Sequence, residues 1–175
     1  LSGSTAWNFG TAATDTTPPT LLSLSPADDG SNVAAGANLV LRFDEAVVAG
    51  SGNITIRSGA QVLRSIAVGD TSQVQIAGGI VTVDPAVDLP AGSAISVTVD
   101  AGALRDSAGN AYVGWSSTTA WNFGTAAAVS DDFPYSADTP GVVNVGGQAT
   151  SGRIEIGGDR DLFRVVLSAG QTYSF

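Results

Sequence analysis

Thr119-Ala120-Trp121-Asn122-Phe123-Gly124-Thr125-Ala126-Ala127 repeats, letter for letter, the run Thr5-Ala6-Trp7-Asn8-Phe9-Gly10-Thr11-Ala12-Ala13. Nine identical residues that include a tryptophan do not arise by chance in a chain of 175 residues. Trp121 lies 114 residues after Trp7, a spacing that matches the length of one β-sandwich domain. Trp121 and Phe123 flank Asn122, so both rings project from one side of an extended strand. The repeated run therefore reads as a closing strand that occurs twice in a tandem array. On this reading residues 1–13 are the last strand of a preceding repeat. Residues 14–127 are a complete domain, and residues 128–175 are a linker with the front of a further β module. A strand in the position of residues 1–13 has no core of its own and no edge partners. It is expected to be disordered unless something accepts it and, if ordered, to lie against a neighbouring copy or a preceding repeat, by strand addition or end-to-end stacking.

Working inward from this run, period-2 alternation is frequent and helical periodicity scarce. Leu22 and Leu24 alternate with Ser23 and Ser25, Leu39, Leu41 and Phe43 with Val40 and Arg42, and Ile54 and Ile56 with Thr55 and Arg57. The pattern continues through 62–68, 74–76, 80–83 and 95–99, giving about eight short strands with one inward face each. Ser58-Gly59 and Gly78-Gly79 are short enough for hairpins. Asp84-Pro85 and Leu89-Pro90-Ala91-Gly92 block strand continuation, and Asp106-Ser107-Ala108-Gly109-Asn110 supplies Asx and left-handed positions. Without crossover helices the expected architecture is all-β, an antiparallel β-sandwich, followed by an incomplete second β-sandwich module. Asp15-Thr16-Thr17-Pro18-Pro19-Thr20 reads as a proline-stiffened joint. Ala128-Val129-Ser130-Asp131-Asp132 reads as a second joint. Beyond it, strand-like runs are expected at 141–145, 153–156, 162–167 and 172–175.

Composition removes whole chemistries. The chain has no Cys, no His, no Met and, by inspection, no Lys. A thiolate nucleophile, a Ser/His/Asp triad, a zinc site of imidazole or thiolate, a disulfide, a Schiff base and a P-loop lysine are all excluded. Seven Arg against sixteen acids give a net charge of −9, which repels a phosphate backbone, so a nucleic-acid partner is not expected. No apolar run approaches the roughly 20 residues of a membrane helix, and no basic-start leader opens the sequence. Direct membrane insertion is not expected. Absence of Cys is neutral between compartments.

Several motifs carry a family resemblance. Pro18-Pro19-Thr20, Ser25-Pro26-Ala27, Leu41-Arg42-Phe43-Asp44-Glu45-Ala46-Val47, Asp100-Ala101-Gly102-Ala103-Leu104-Arg105-Asp106, Ala108-Gly109-Asn110 and Trp121-Asn122-Phe123 follow one another in order. Across residues 15–127 the chain resembles a bacterial Ig-like domain of the S-layer (SbsA-like) type. That resemblance implies a sandwich module, rarely catalytic, strung along secreted or surface-attached bacterial proteins. Such proteins include giant adhesins, calcium-dependent repeat proteins and exoenzymes. Residues 131–175 carry Gly152-Arg153-Ile154-Glu155-Ile156, Gly158-Asp159-Arg160-Asp161-Leu162-Phe163-Arg164-Val165 and Leu167-Ser168-Ala169-Gly170-Gln171-Thr172-Tyr173. They resemble the first half of a bacterial pre-peptidase C-terminal domain. Together the two resemblances imply export, to an extracellular or cell-surface location.

Paired carboxylates are the remaining catalytic option. A glycosidase needs two of them about 5–10 Å apart across a cleft. Asp44 with Asp106 is the nearest candidate pair, but nothing in the sequence forms a cleft around it, and no enzymatic activity is expected. Calcium is the expected cofactor, because fourteen of the sixteen acids are Asp, whose short carboxylates suit turns and hard cations. Oxygen-rich clusters occur at Asp28-Asp29, Asp44-Glu45, Asp84 with Asp88, Asp100 with Asp106 and Asn110, Asp131-Asp132, and Asp159 with Asp161. None has EF-hand or β-roll spacing. The candidate ligands are Asp15, Asp106, Asn110, Asp131 and Asp132. For Asp106 to Asn110 the competing reading is a plain turn, with the Asp side chain accepting backbone N–H bonds and Gly109 or Asn110 at positive φ. For Asp15 and Asp131-Asp132 it is a solvated acidic linker.

Trp7 and Trp121 read as core residues, and Trp115, in a Gly- and Ser-rich stretch, as a lid on the core. The functional expectation is a non-catalytic structural spacer and interaction segment of a large multidomain bacterial protein, adhesin-like and stiffened by calcium. Its partners would be neighbouring repeats or copies, and a surface protein or polysaccharide. The alternative is a ligand-binding accessory module of a secreted hydrolase such as a peptidase. An exposed aromatic row or a pocket at Trp115 favours that alternative, and buried aromatics favour the spacer.

Overall fold

Residues 10, 13–130, 132–133, 135–136, 138–146, 151–153 and 160–173 are described by the computed structural model of the chain. Every regular element among them is a β-strand, as alternating rather than helical apolar patterning dictates. The chain divides into two units between Ala127 and Ala128.

In the first unit, β1 (Leu21–Ser25), β3 (Leu39–Phe43), β8 (Ile80–Val83) and β7 (Val74–Ala77) form one sheet in the order β1-β3-β8-β7. A second sheet has the order β2-β11-β9-β5-β6. Its strands are β2 (Gly30–Val33), β5 (Asn53–Ser58), β6 (Gln61–Ala67), β9 (Ala94–Val99) and β11 (Asn122–Thr125). A short ribbon of β4 (Val47–Ala49) with β10 (Leu104–Asp106) links β3 to β5. The inward residues are the ones that alternate in the sequence. Leu39, Leu41, Phe43, Val81 and Val83 from the first sheet join Ile54, Ile56, Ile95, Val97, Val99 and Phe123 from the second in one buried cluster. The result is a β-sandwich.

The chain's first edge is shared between both layers. After running antiparallel to β3, β1 ends at Ser25, and the chain crosses to the other sheet, where β2 lies parallel to β11. A wholly antiparallel arrangement is thus corrected at this one pairing, while the other pairings of the two sheets are antiparallel. The runs at Val74 and Ile80 are two strands of one hairpin turning through Gly78-Gly79. Three strands were not legible as alternating runs. β4 and β10 have three residues each, and β2, with the sequence Gly-Ser-Asn-Val, is mostly polar.

The alternation also misled at β1. Its register with β3 passes from Leu21↔Phe43 to Ser23↔Arg42, so Leu22 is an extra, bulged residue. Leu21 and Leu24 pack against the core, whereas Leu22 is 66% exposed.

The second unit holds a two-residue parallel ladder between β12 (Val142–Val143) and β13 (Arg164–Val165). Phe133 and Phe163 pack with ring centroids 4.8 Å apart. Leu162 N–H donates to the Phe133 carbonyl at 3.3 Å and Arg164 N–H to the Gly141 carbonyl at 2.8 Å. The strands expected at 141–145 and 162–167 shorten to these pairs. Arg153 and residues 172–173 are not in strands. Residues 154–156 and 174–175 lie outside the described residues, as do residues 1–9.

The bulge and the core assignment make a paired prediction. Ile56→Ala removes a fully buried side chain of a central strand and is expected to cost about 2–5 kcal/mol in urea unfolding. Leu22→Ala should stay within about 0.5 kcal/mol of the parent. Equal costs would mean that Leu22, as alternation alone suggests, points inward.

Candidate functional site

The joint before β1 does not stand free of the sandwich. Asp15 Oδ1 accepts the Thr17 N–H at 2.9 Å, an Asx turn that shapes the approach to Pro18 and Pro19. Pro19 is buried. Thr20 N–H donates to Asp44 Oδ1 at 2.8 Å while Asp44 N–H donates back to the Thr20 carbonyl at 3.0 Å. From the other side, the Asn110 amide donates to the carbonyls of Asp15 at 3.2 Å and Thr17 at 3.4 Å. The linker is thereby fastened to the end of the sandwich that carries the β3–β4 and β10 turns.

This fastening brings three carboxylates together. Single oxygens of Asp15, Glu45 and Asp106 all lie within 4.8 Å of one another. They come from the linker, the β3–β4 turn and the end of β10, and range from exposed Asp15 through half-buried Glu45 to Asp106 at 2% exposure. Asp106 is held by its own turn: Oδ1 accepts the Asn110 N–H at 2.7 Å and Oδ2 the Asn110 side-chain amide at 2.7 Å. Gly109 has φ +95°, so the turn has the hydrogen bonding and the left-handed residue of the plain-turn reading. Burial pushes the Asp106 carboxyl up, but hydrogen bonds from Asn110, Gly109 and Ala108 outweigh it and hold the group below its ordinary 3.8. Glu45 goes the other way, raised above 4.5 by burial first and then by the charges of Asp106, Asp15 and Asp44.

Of the expected ligands, the structure brings Asp15, Asp106 and Asn110 to one place and adds Glu45. Asn110 enters as the amide that orients Asp106 and clasps the linker. Glu45 was visible in the sequence only as half of an acidic turn, because nothing local shows that this turn and the linker share one end. Asp131 lies outside the described residues. The Asp132 carboxylate accepts the Arg153 N–H at 3.2 Å within the second unit. Asp100, grouped with Asp106 by sequence, instead accepts the N–H of Asn53 at 2.9 Å, at the start of β5. Asp28 likewise accepts the Asn122 N–H at 2.8 Å, and the Asp70 carboxyl is lowered by hydrogen bonds from Ser72 and Gln73. Much of the acidic charge thus caps turns.

Three carboxylates so close repel one another unless a proton or a cation is shared among them. Oxygen-only donors from separate loops match the preference of a hard divalent ion. The opposed shifts of Glu45 and Asp106 also resemble an acid and base pair, but two clefts among the described residues, at Trp115 and at Asn122, are lined by other residues.

Trp115 lies beside one of those clefts. Phe43, Tyr112, Trp115, Trp121 and Phe123 form a chain of rings with successive centroids 5.0, 6.3, 6.3 and 6.4 Å apart. The Trp115 indole N–H donates to the Val97 carbonyl at 2.8 Å, and its backbone exchanges two hydrogen bonds with Val99. Trp121 is fully buried and its indole donates to the Pro26 carbonyl at 2.8 Å. Gly114 permits the lid to sit so low, since at φ +63° a Cβ there would collide with the Val99 carbonyl oxygen. Outside this lid, Thr55, Arg57, Thr98, Asp100, Trp115 and Ser116 line a polar cleft on the face of β5 and β9.

The profile of the bacterial Ig-like domain family matches residues 15–125. No curated protein matches the sequence. No helix among the described residues is long and apolar enough to cross a membrane.

The opposed shifts give a pH signature without added cation. With its folded pKa raised, Glu45 costs stability as pH rises from 4.5 through that folded value. Asp106, depressed, contributes stability above 3.8 that is lost as pH falls through its folded value. Glu45→Gln should therefore melt above the parent at neutral pH in chelator, the gain vanishing below pH 4.5. Asp106→Ala should melt below the parent, its deficit shrinking only below pH 3.8. Scanning calorimetry across a buffer series checks both, and pH-independent differences would contradict the assignment.

Proposed function

The chain belongs to the bacterial Ig-like domain family, and we propose that it is a non-catalytic spacer and interaction segment of a large extracellular or surface-displayed bacterial protein. Domains of this family are typical of such proteins. The observation that carries the reading is the placement of the sandwich's two chain ends. The linker is fastened beside Asp44, Asp106 and Asn110, where β3 ends. The closing strand leaves past Val33 and Gly92, where β9 begins, the Ala126 N–H donating to Val33 and its carbonyl accepting from Gly92. Entry and exit at opposite ends suit modules strung in a line, and the repeated run Thr119–Ala127 supports a tandem array. The second unit would be the front of a pre-peptidase C-terminal-like module. In arrays of one, two and four copies of residues 14–127, the maximum dimension from small-angle X-ray scattering should grow by one constant increment per copy. Arrays that fold back on themselves would contradict a spacer.

Calcium at Asp15, Glu45 and Asp106 is the cofactor this reading calls for, because a bound divalent cation relieves their repulsion and ties the linker to the sandwich. Excess calcium is expected to raise the melting temperature by several degrees over chelator. An Asp15→Asn, Glu45→Gln double variant should lose that response while remaining folded. An equal response in the double variant would move the ion elsewhere, and no response in the parent would leave proline and hydrogen bonds alone to stiffen the joint.

The cleft at Arg57 and Trp115 supports a second reading, an accessory module that holds an acidic polysaccharide or peptide for a secreted hydrolase. In that case uronate oligosaccharides should shift the amide resonances of Thr55, Arg57, Thr98 and Ser116, and Arg57→Ala should abolish the shifts. Unchanged spectra would leave only the spacer.

A further inference from the structure

We propose that β7 is a docking edge for a second copy of this chain, two β7 strands pairing antiparallel about a two-fold axis to make one continuous sheet. The inference starts from the outermost strands of the two sheets, β1 and β7 of the first and β2 and β6 of the second. Three of these four are irregular. β1 bulges at Leu22. β2 carries one residue too many against β11, between Phe123↔Gly30 and Thr125↔Val33, and its Asn32 has φ +58°. β6 carries an extra Leu63 between Ile56↔Arg64 and Arg57↔Val62, and the Arg64 guanidinium donates to the Leu63 carbonyl at 2.7 Å. Such irregularities spoil the even spacing of donors and acceptors that an incoming strand requires. Of the four, β7 is the one that pairs without a break, from Val74↔Val83 to Ala77↔Ile80.

What lies along β7 suits this use. Gly78-Gly79 is a two-residue turn, so the flanking pair Ala77 and Ile80 exchanges both hydrogen bonds, and Gln75 with Thr82 does so again. The N–H and C=O of Ile76 therefore point away from β8, toward the open side, where they match the C=O and N–H of Ile76 in an antiparallel second copy. Beside them Val47, Val48, Ala49, Val68, Val74 and Ile76 line an apolar cleft of about 350 Å³, and Val48 is 50% exposed. Charge selects the occupant. Each copy carries −9, so a basic partner is drawn to the acidic turns and contact between acidic turns is repulsive. Residues 72–83 contain no charged side chain, and the two-fold sets the Gly78-Gly79 tip of one copy, free of side chains, at the Val74 end of the other. The contact is isologous and closes as a dimer.

An antiparallel pair also reverses the long axis of the module, so the end where the linker enters one copy lies beside the end where the closing strand leaves the other. In extended arrays this joins chains that project from facing surfaces, and not neighbours that point the same way. That consequence rests on the spacer reading, whereas the pairing itself does not. A four-residue edge makes each contact weak, and repeated modules multiply it.

Amide spectra of the whole chain, recorded at rising concentration up to about 1 mM, the effective concentration that short linkers provide, should show shifts that grow at Val74 to Gly78 and at Val48 and Val68. Sedimentation over the same range should move from monomer toward twice its mass. Because both copies are acidic, added salt should strengthen the pairing. Ile76→Pro removes the outward N–H and keeps the bonds to β8, and Val48→Glu puts like charges at the rim of both copies. Both variants should remain monomeric at every concentration. If Ile76→Pro does not fold, Val48→Glu, at an exposed position, decides. Four results overturn the proposal: no association up to about 1 mM, association that Val48→Glu retains, association that salt weakens, and shifts centred on β1, β2 or β6. The spacer reading fails separately, in the scattering of arrays.

Discussion

The burial of Trp121 is the constraint on which the sandwich rests. Its ring fills the interior, its indole N–H is satisfied by Pro26, and its carbonyl takes the Val97 N–H. A donor this deep would cost stability if left unmade, so the chain just after β1 must stay beside β11. That requirement explains why the first edge leaves one sheet and joins the other as β2. It also fixes where the linker enters, because β1 must begin at the end of β3 to reach Pro26 in time. The ring row from Phe43 to Phe123 then extends the same wedge across the core.

Around this frame the acidic residues do two jobs. Asp28, Asp44, Asp70 and Asp100 spend their oxygens on backbone or side-chain donors at turns, replacing hydrogen bonds that strands would otherwise supply. Asp15, Glu45 and Asp106 converge instead, and the cost of that convergence shows at Glu45, whose carboxyl is raised by burial and then by the charges of Asp106, Asp15 and Asp44. A chain with seven Arg among sixteen acids has few opposite charges with which to offset such a cluster, so the relief must come from outside the protein or from protonation.

The central strands were legible because their alternation coincides with two-layer burial: Leu39, Leu41, Ile54, Ile56, Ile95, Val97 and Val99 all point inward. The Asp106 to Asn110 turn was legible for a different reason, since Asp, Gly and Asn each have a specific backbone use there. What failed did so where a neighbour decides the outcome. Leu22 breaks the pattern because register against β3 inserts a bulge. The mostly polar β2 is a strand because β11 offers it a parallel partner. Glu45 joins Asp15 and Asp106 because three turns far apart in sequence meet at one end of the fold, a fact that belongs to topology and not to any local run.

The parallel pairing of β2 with β11 has a mechanical consequence. Tension applied at the linker and at Ala127 pulls the two ends of the sandwich apart along the strand direction. The hydrogen bonds that hold β11 to β2 and β9 then lie across the line of force and are strained together, in shear, whereas a hairpin pulled from its open end would peel one bond at a time. Extraction of β11 must break the bonds at Val33, Ser93 and Val97 and draw the Trp121 ring out of the core. A module built this way yields abruptly at high load and stays at full length below it.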